Sequence, residues 1–334
     1  MKRIVVDPTG DIEAQLAPAA RALLEAEVVA FPTETVYGLG ADATNPDALE
    51  KIFEAKQRPS TNPLIAHVAS WQMVHVMARD WPEHAQRLAQ AFWPGPLTII
   101  VPRAQGVSDT LTAGLPHVAL RWPAHPVAQA LIALVGRPLA APSANRHMHT
   151  SPTQAQHVMA SLAGRINWVV DAGPTRVGIE STIVRVDPQE IHILRRGHIT
   201  REDLERALEG RVRLVDQSAQ VVEGSATQSP GQSRRHYAPN ARVRLVESAQ
   251  QAFSELPAAR ATVAWIALGE AHREDSAAWG WTITLPDVPA AYSAHLYSAL
   301  HRCDALGVDE VWIQPPPRTE AWGAIWDRLT RAMA

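Results

Sequence analysis

The sequence predicts a mixed α/β protein of two domains, and three observations predict it. Short apolar runs of strand character alternate with segments of helical period through about the first two hundred residues. From Asp216 to Ser233 the pattern gives way to Gln, Ser, Gly and Thr, a composition that suits a linker or a functional loop. Alternation then resumes, and 334 residues are too many for one ordinary core.

Taken in order, Ile4 to Val6 reads as an edge strand and Ile12 to Ala26 as a helix with apolar residues at helical spacing. Val28 to Phe31 reads as a buried strand that Pro32 ends, because proline cannot donate to a ladder. The stretch from Thr33 to Gly40 is then expected to be a loop. With Thr33, Glu34, Thr35 and Tyr37 as hydrogen-bonding side chains and Gly38 as bare backbone, it is costly unless it faces water or a ligand. Asn45 and Pro46 suit the N-cap and first position of a helix running to Lys56. Leu64 to Val68 and Leu97 to Val101 read as internal strands flanking two helices. Val118 to Leu120, Leu139 to Ala141 and Trp168 to Val170 read as further strands, with helices from about Val127 and Pro152. Ile183 to Val186 and Ile191 to Leu194 would close a hairpin before a helix from Thr200 to Leu208. Beyond the polar segment, Val243 to Val246, Thr262 to Leu268, Thr282 to Leu285 and Val311 to Gln314 read as strands of a small doubly wound domain that ends in a helix from Glu320 to Met333. Six of the 11 tryptophans fall in this last third, at 265, 279, 281, 312, 322 and 326, where packing in its core and against the first domain explains them best.

Composition excludes several classes. The formal charge of −3, from 31 Lys+Arg against 34 Asp+Glu, asks for no membrane surface and no strong direct nucleic-acid binding. The single cysteine, Cys303, excludes an internal disulfide and a cysteine zinc cage and fits a reducing cytosol. Only Ile4-Val5-Val6 follows Met1-Lys2-Arg3 before Asp7, too short for a signal-peptide core, and no apolar run is long enough to span a bilayer. A cytoplasmic protein is expected.

Chemistry-bearing residues cluster at strand ends. Lys56 and Arg58 close the first helix after the Thr-rich stretch, where two cations also suit the macrodipole. Asn62 then leads into the strand ending at His67, so one chain reversal could aim all four at a sheet mouth, and an ammonium beside a guanidinium makes a phosphate clamp. His67 alone fits a hydrogen-bonded core histidine equally well. Arg121 follows a buried strand and pairs with a local carboxylate or with a ligand carboxylate. Ser143 and Asn145 follow the strand that Pro142 stops; in an extended turn their side chains face one way, and a Ser or Asx turn is the alternative. Ser151-Pro152-Thr153 has the form of an N-cap with proline at the first helical position, which would also be an anion site. Ser181 precedes a strand and Arg195 ends one. The theme is hydroxyls and cations at strand termini, with no acid pair and no cysteine nucleophile.

Other motifs fall away. Gly38-Leu39-Gly40-Ala41-Asp42-Ala43 has the spacing of a dinucleotide fingerprint, but Thr33 to Tyr37 separate it from the strand. There is no Gly-x-x-x-x-Gly-Lys loop and no Gly-x-Ser-x-Gly elbow. His147-Met148-His149 lacks a nearby third metal ligand and reads as a polar loop, so no metal site is expected in the protein itself.

Pro-Thr-Glu-Thr-Val-Tyr-Gly-Leu from Pro32, Lys-x-Arg-Pro from Lys56, Asn-Pro-Leu from Asn62, Pro-Ser-Ala-Asn at 142 to 145, Glu-Ser-Thr at 180 to 182 and Arg-x-Gly at 195 to 197 resemble the YrdC-like threonylcarbamoyl-AMP synthases. Ser229-Pro230-Gly231, then Arg235-His236-Tyr237-Ala238-Pro239 and a second α/β domain, resemble the long, two-domain form. The resemblance implies a YrdC-like open twisted sheet with a concave cleft over residues 1–212, a linker or lid over 213–241 and a Rossmann-like domain over 242–334. It implies a nucleotidyltransferase that makes threonylcarbamoyl-AMP and pyrophosphate from L-threonine, bicarbonate and ATP, the latter with Mg²⁺ whose protein ligands are not identified, and that supplies a downstream threonylcarbamoyl transferase complex in tRNA modification. By the same resemblance Lys56, Arg58, Ser143 and Asn145 would be catalytic. Arg58, Asn62, His117 (through its backbone), Ser143, Ser151, Arg195 and Tyr237 would bind ATP. Thr35, His67, Arg121, the backbone of Ala141, and Ser181 would bind threonine, with Thr33 and Tyr37 as second choices. Two departures stand out: His147-Met148-His149 where the family usually has a glycine, and Gln232-Ser233-Arg234 where an aromatic or a lysine is common. Competing readings are an RNA-binding module with a basic groove, which the scattered cations do not favour, and a carbamoyl-transfer enzyme of hydrogenase maturation, whose zinc-finger cysteines this chain lacks.

Overall fold

A computed structural model describes residues 1–219, 229–231, 233–248, 250–251, 262–269 and 281–334. Eleven strands form one mixed sheet: β1 (Lys2–Val5), β2 (Val29–Pro32), β3 (Tyr37–Asp42), β4 (Ile65–His67), β5 (Leu97–Pro102), β6 (His117–Arg121), β7 (Leu139–Ala140), β8 (Trp168–Asp171), β9 (Thr182–Val186), β10 (Glu190–Arg195) and β11 (Arg213–Asp216). Their spatial order is β1-β8-β2-β3-β7-β4-β6-β5-β9-β10-β11. The helices are α1 (Ile12–Leu24), α2 (Pro46–Lys56), α3 (Trp71–Met77), α4 (Glu83–Phe92), α5 (Asp109–Thr112), α6 (Pro126–Val135), α7 (Ala155–Ser161) and α8 (Arg201–Leu208).

Strand residues alternate between faces. In β2, Ala30 joins a core with α2, α4 and α8, whereas Val29 and Phe31 join a second core with α1 and α6. Farther along, the face opposite the first core carries only a small cluster of Ile65, Ile100, Ala119, Ile183 and Leu194. That face is where the remaining architecture docks.

A second sheet of four parallel strands has the order β12-β15-β13-β14, from β12 (Arg242–Leu245), β13 (Val263–Leu268), β14 (Trp281–Leu285) and β15 (Glu310–Ile313). It packs with α9 (Pro289–Leu306) and α10 (Gly323–Met333). Its core is continuous with the first domain, because Val36, Val177 and Ile179 cluster with Tyr237, Leu296, Tyr297 and Ile325.

Four expectations change. The stretch after Pro32 is a tight turn followed by β3, antiparallel to β2, rather than one long loop; Gly40 sits in that strand because a Cβ there would lie 2.5 Å from the Phe31 ring. The helix expected from Pro152 starts at Ala155, and Gln154 occupies its N-cap without a side-chain bond. Residues 151–153 lie outside the helix, and their carbonyls are taken across the fold, Pro152 O by Tyr37 N at 2.8 Å and Thr153 O by Thr175 N at 2.9 Å. The large sheet continues past residue 212, as β11 pairs with β10. Among the tryptophans, 265, 312 and 322 are buried, Trp281 is 42% exposed, and Trp279 lies outside the described residues, as does Gln232.

Candidate active site

Alternation along the strands builds the cleft. Ile65 and His67 share a face of β4, as do Ala119 and Arg121 of β6 and Thr98 and Ile100 of β5, so His67, Arg121 and Thr98 line the open side of the sheet. His67 and Arg121 are paired neighbours at the C-terminal ends of parallel strands, the position where open α/β sheets hold ligands. Arg121 is buried; its Nη2 donates to Glu34 Oε1 at 2.7 Å and Thr35 Oγ1 at 2.9 Å, and Ala124 N holds the other Glu34 oxygen at 3.1 Å. Arg121 thus has a local carboxylate, yet its buried Nε has no hydrogen-bond partner. The Thr33 hydroxyl is used within the turn, bonding the Thr35 hydroxyl at 2.8 Å and Val36 O at 2.7 Å. The Tyr37 hydroxyl donates to Gly173 O at 2.7 Å, a structural role. His67 Nδ1 lies 3.2 Å from Ile65 O, and burial followed by Arg121 lowers its pKa to about 3.

Ser181 sits just before β9, its hydroxyl 2.8 Å from Thr98 Oγ1. Arg195 clamps it, with Nη2 on Ser181 Oγ at 3.0 Å and Nε on Ser181 O at 3.0 Å; a register shift between Ile193 and Arg195 accompanies that turn of β10. Its Nη1 reaches Pro230 O at 3.4 Å.

The second group gathers at the other end of the short strands β4 and β7. Lys56 ends α2 but turns inward, its ammonium donating to Ser143 O and Asn145 O. Arg58 Nη2 donates to Pro63 O at 3.0 Å and Asn62 O at 3.4 Å. The sequence suggests exposed cations at a strand mouth; instead Lys56 and Arg58 are only 2% and 8% exposed, because backbone carbonyls draw them in. Burial, with Arg58 beside it, pushes Lys56 well below its ordinary pKa, and Glu180 opposes that. Ala141 N donates to Ile65 O at 3.1 Å, which carries the chain into Ser143. Ser143 and Asn145 do not act alike: Asn145 Nδ2 ties Arg146 O and His149 O at 2.8 and 2.7 Å, and its buried Oδ1 has no partner. The glycine-less loop after it takes the form a glycine would give, with Met148 at φ +69°, at a cost of about 1 kcal/mol.

The two groups form one site. The charge of Arg195 acts on Arg58 and that of Arg121 acts on Arg195, each helping burial to lower the pKa of the guanidinium it faces. Tyr237 sits over them from the linker, fully buried with its hydroxyl unpartnered, beside His236 at 4.0 Å between ring centroids and under Arg328 at 4.8 Å. Gly231, at φ +91°, passes where a Cβ would collide with that hydroxyl. Ser151 is joined through Glu180, which accepts from the Ser151 hydroxyl, from Tyr297 Oη at 3.0 Å and from Arg328 Nε at 2.8 Å. His117 stands apart: the charges acting on it are Arg185, Asp187 and Arg79, none in the cluster.

A family model described as "Telomere recombination", covering Sua5, YciO and YrdC, matches residues 21–197, and one described as "Threonylcarbamoyl-AMP synthase, C-terminal domain" matches residues 199–334. The chain belongs to the threonylcarbamoyl-AMP synthase family. The threonylcarbamoyl-AMP synthase of Bacillus subtilis is 41% identical over 343 residues, covering 99% of this chain and 97% of that protein; the one of Pyrococcus abyssi is 37% identical over 325 residues, covering 94% and 92%. The crystal structure of P. abyssi Sua5 complexed with L-threonine superposes with a TM-score of 0.89 at 35% identity, covering all of this chain and 98% of that one. Escherichia coli YciO, at TM-score 0.52 and 18% identity over 59% of this chain and 95% of its own, shares the fold.

For this threonylcarbamoyl-AMP synthase family member, sequence reasoning missed Arg328 and Tyr297 and gave Glu180 no role. Glu180 stood in the Glu-Ser-Thr motif, but its partners lie 117 and 148 residues away in another domain, a separation that no local pattern signals.

Proposed function

We propose that the chain joins L-threonine, bicarbonate and ATP into threonylcarbamoyl-AMP with release of pyrophosphate, and that a separate transferase complex carries the group to tRNA in the cytoplasm. The observation that carries the reading is that Arg58 Nε, Arg121 Nε, Asn145 Oδ1, His236 Nδ1 and Tyr237 Oη are all buried without hydrogen-bond partners around one cleft. Buried polar groups are almost always satisfied, so such a concentration supports a polar, anionic ligand.

The chemistry asks for what these residues offer. Threonine and bicarbonate give a carbamate whose anionic oxygen attacks the α-phosphorus of ATP, so positioning and charge neutralisation matter more than a strong base. The Glu34 and Thr35 contacts fix the Arg121 fork and leave Nε for the threonine carboxylate. His67, neutral at pH 7, and the hydroxyls of Thr35 and Ser181 orient the amino acid beside the Ala141 backbone. Lys56 spends two of its three N–H groups on carbonyls, which leaves one for phosphate oxygens. Arg58, Asn62, Ser143, Asn145, Ser151 and Arg195 surround the nucleotide, and Tyr237 closes over it as a lid. Residues 1–212, extended by β11, carry the chemistry, the linker follows, and 242–334 hold it down. Mg²⁺ would accompany the ATP; among the described residues no group of three His, Cys, Asp or Glu could hold a metal ion, and no protein ligand or step is assigned to it. No helix among the described residues is long and apolar enough to cross a membrane.

The test is pyrophosphate release from ATP. Release is expected only when threonine and bicarbonate are both present, and equal release without threonine would overturn the reading.

A further inference from the structure

A second polar hollow, of about 640 Å³, lies between α7 of the first domain and α9 of the second. Its chemistry is one-sided. Arg146 and Arg302 line it with His149, His157 and His301, and Asp304 is the one carboxylate in the lining. Asp304 Oδ1 is already engaged, accepting from Asn240 N at 2.8 Å and Ala241 N at 3.4 Å. By contrast, no ion pair or hydrogen bond holds either guanidinium side chain among the described residues. His157 and His301 stack across the domain boundary, 4.0 Å between centroids and 18° between planes. Two guanidiniums against one engaged carboxylate give the hollow a positive field in a chain of net charge −3, and the stacked His157 and His301, which burial keeps neutral, can add only ring N–H donors.

We propose that this hollow is a second binding site for a di- or triphosphate anion, distinct from the catalytic cleft, which clasps the two domains together. Its volume falls in the range of ordinary ligand pockets, roughly 300–1,000 Å³, and far exceeds what a single halide would fill. The guanidinium fork is matched to phosphate oxygens. The walls come from both domains, so an anion held by Arg146 on one side and Arg302 on the other favours the docked arrangement. The hollow also touches the catalytic loops through backbone. His301 Nε2 lies 3.0 Å from Ser151 O, and Asn145 Nδ2 holds the carbonyls of Arg146 and His149. Occupancy therefore couples to the geometry of Ser151 and Asn145.

Equilibrium dialysis of the full chain with radiolabelled pyrophosphate tests this. Two sites per chain are expected. Arg58→Gln should weaken one of them, and Arg146→Gln with Arg302→Gln should weaken the other by about tenfold for each lost charge-assisted contact. Arg302→Gln alone, at an exposed position on α9, keeps the test available if the double variant folds poorly. A stoichiometry of one, or a second site indifferent to Arg302→Gln, overturns the proposal. Neither outcome touches the catalytic reading, which stands or falls on threonine-dependent pyrophosphate release.

Discussion

Arg121 illustrates how one side chain serves fold and ligand at once. Its pair with Glu34 is buried on both sides, at 5% and 3% side-chain exposure. Removing one partner strands the other's charge, which typically costs about 3–5 kcal/mol, whereas replacing both by neutral groups costs far less. Arg121→Gln is therefore expected to destabilise the fold by about 3 kcal/mol. Glu34→Gln/Arg121→Gln should recover most of that, yet both variants should show a threonine KM raised about a hundredfold, since neither offers a cation to the carboxylate. Urea unfolding and steady-state kinetics on the two variants check this; a double variant with ordinary threonine KM would restrict Arg121 to structure. The sequence could place Arg121 at a strand end, where both readings were open, but not Glu34 opposite it, 87 residues away in the chain. Lys56 and Arg58 were legible as a cationic pair and misread as exposed, because the carbonyls that bury them belong to a turn nearly ninety residues downstream for Lys56.

At the scale of elements, local chemistry was legible wherever it decided the outcome. Asn45 caps α2 on Asp47 N and Ala48 N, as its sequence position suggests, and Thr200, expected as the first residue of its helix, instead caps it in a full capping box with Asp203. It failed where a distant contact won. Two glycines disguised β3, and Ser151-Pro152-Thr153 looks like a helix start but serves as a non-helical strip whose carbonyls are held by Tyr37 N and Thr175 N. The element that closes the site, α10, was read as a helix with no hint of its task. Its Arg328 is buried, reaching Glu180 at 2.8 Å and Arg196 O at 3.0 Å, while Arg331 holds Ser233 O at 2.6 Å and Ser218 O at 2.9 Å. Arg328→Met should unfasten this strap. Limited proteolysis within residues 229–241 is expected to accelerate by about a hundredfold, the equivalent of losing one partner of a buried ion pair, and turnover should fall with it. An unchanged cleavage rate would mean that the helix rests on the linker without holding it.

At the scale of the molecule, the cleft and the hollow between the domains collect cations and, among them, histidines that stay neutral. Burial lowers His67 and His157 to about 3 and His147 and His301 to about 4, with Arg121, His301, Arg58 and, for His301, His149 adding to it, and it holds His236 well below its ordinary value. The folded pKa of each lies below the ordinary 6.5, so as pH falls from 6.5 towards those values the unfolded chain binds protons that the folded chain refuses. Stability is thus complete above pH 6.5 and lost on acidification through that window. For His67, which is 2% exposed, the loss between pH 7 and pH 5 is about 2 kcal/mol. Urea unfolding monitored by tryptophan fluorescence at the two pH values should show at least that decrease. His67→Gln, which keeps a hydrogen-bonding group but cannot take up the proton, should flatten the dependence by the same amount. If the variant loses stability as steeply as the parent chain, the acid sensitivity belongs to other groups and His67 titrates normally in the cleft.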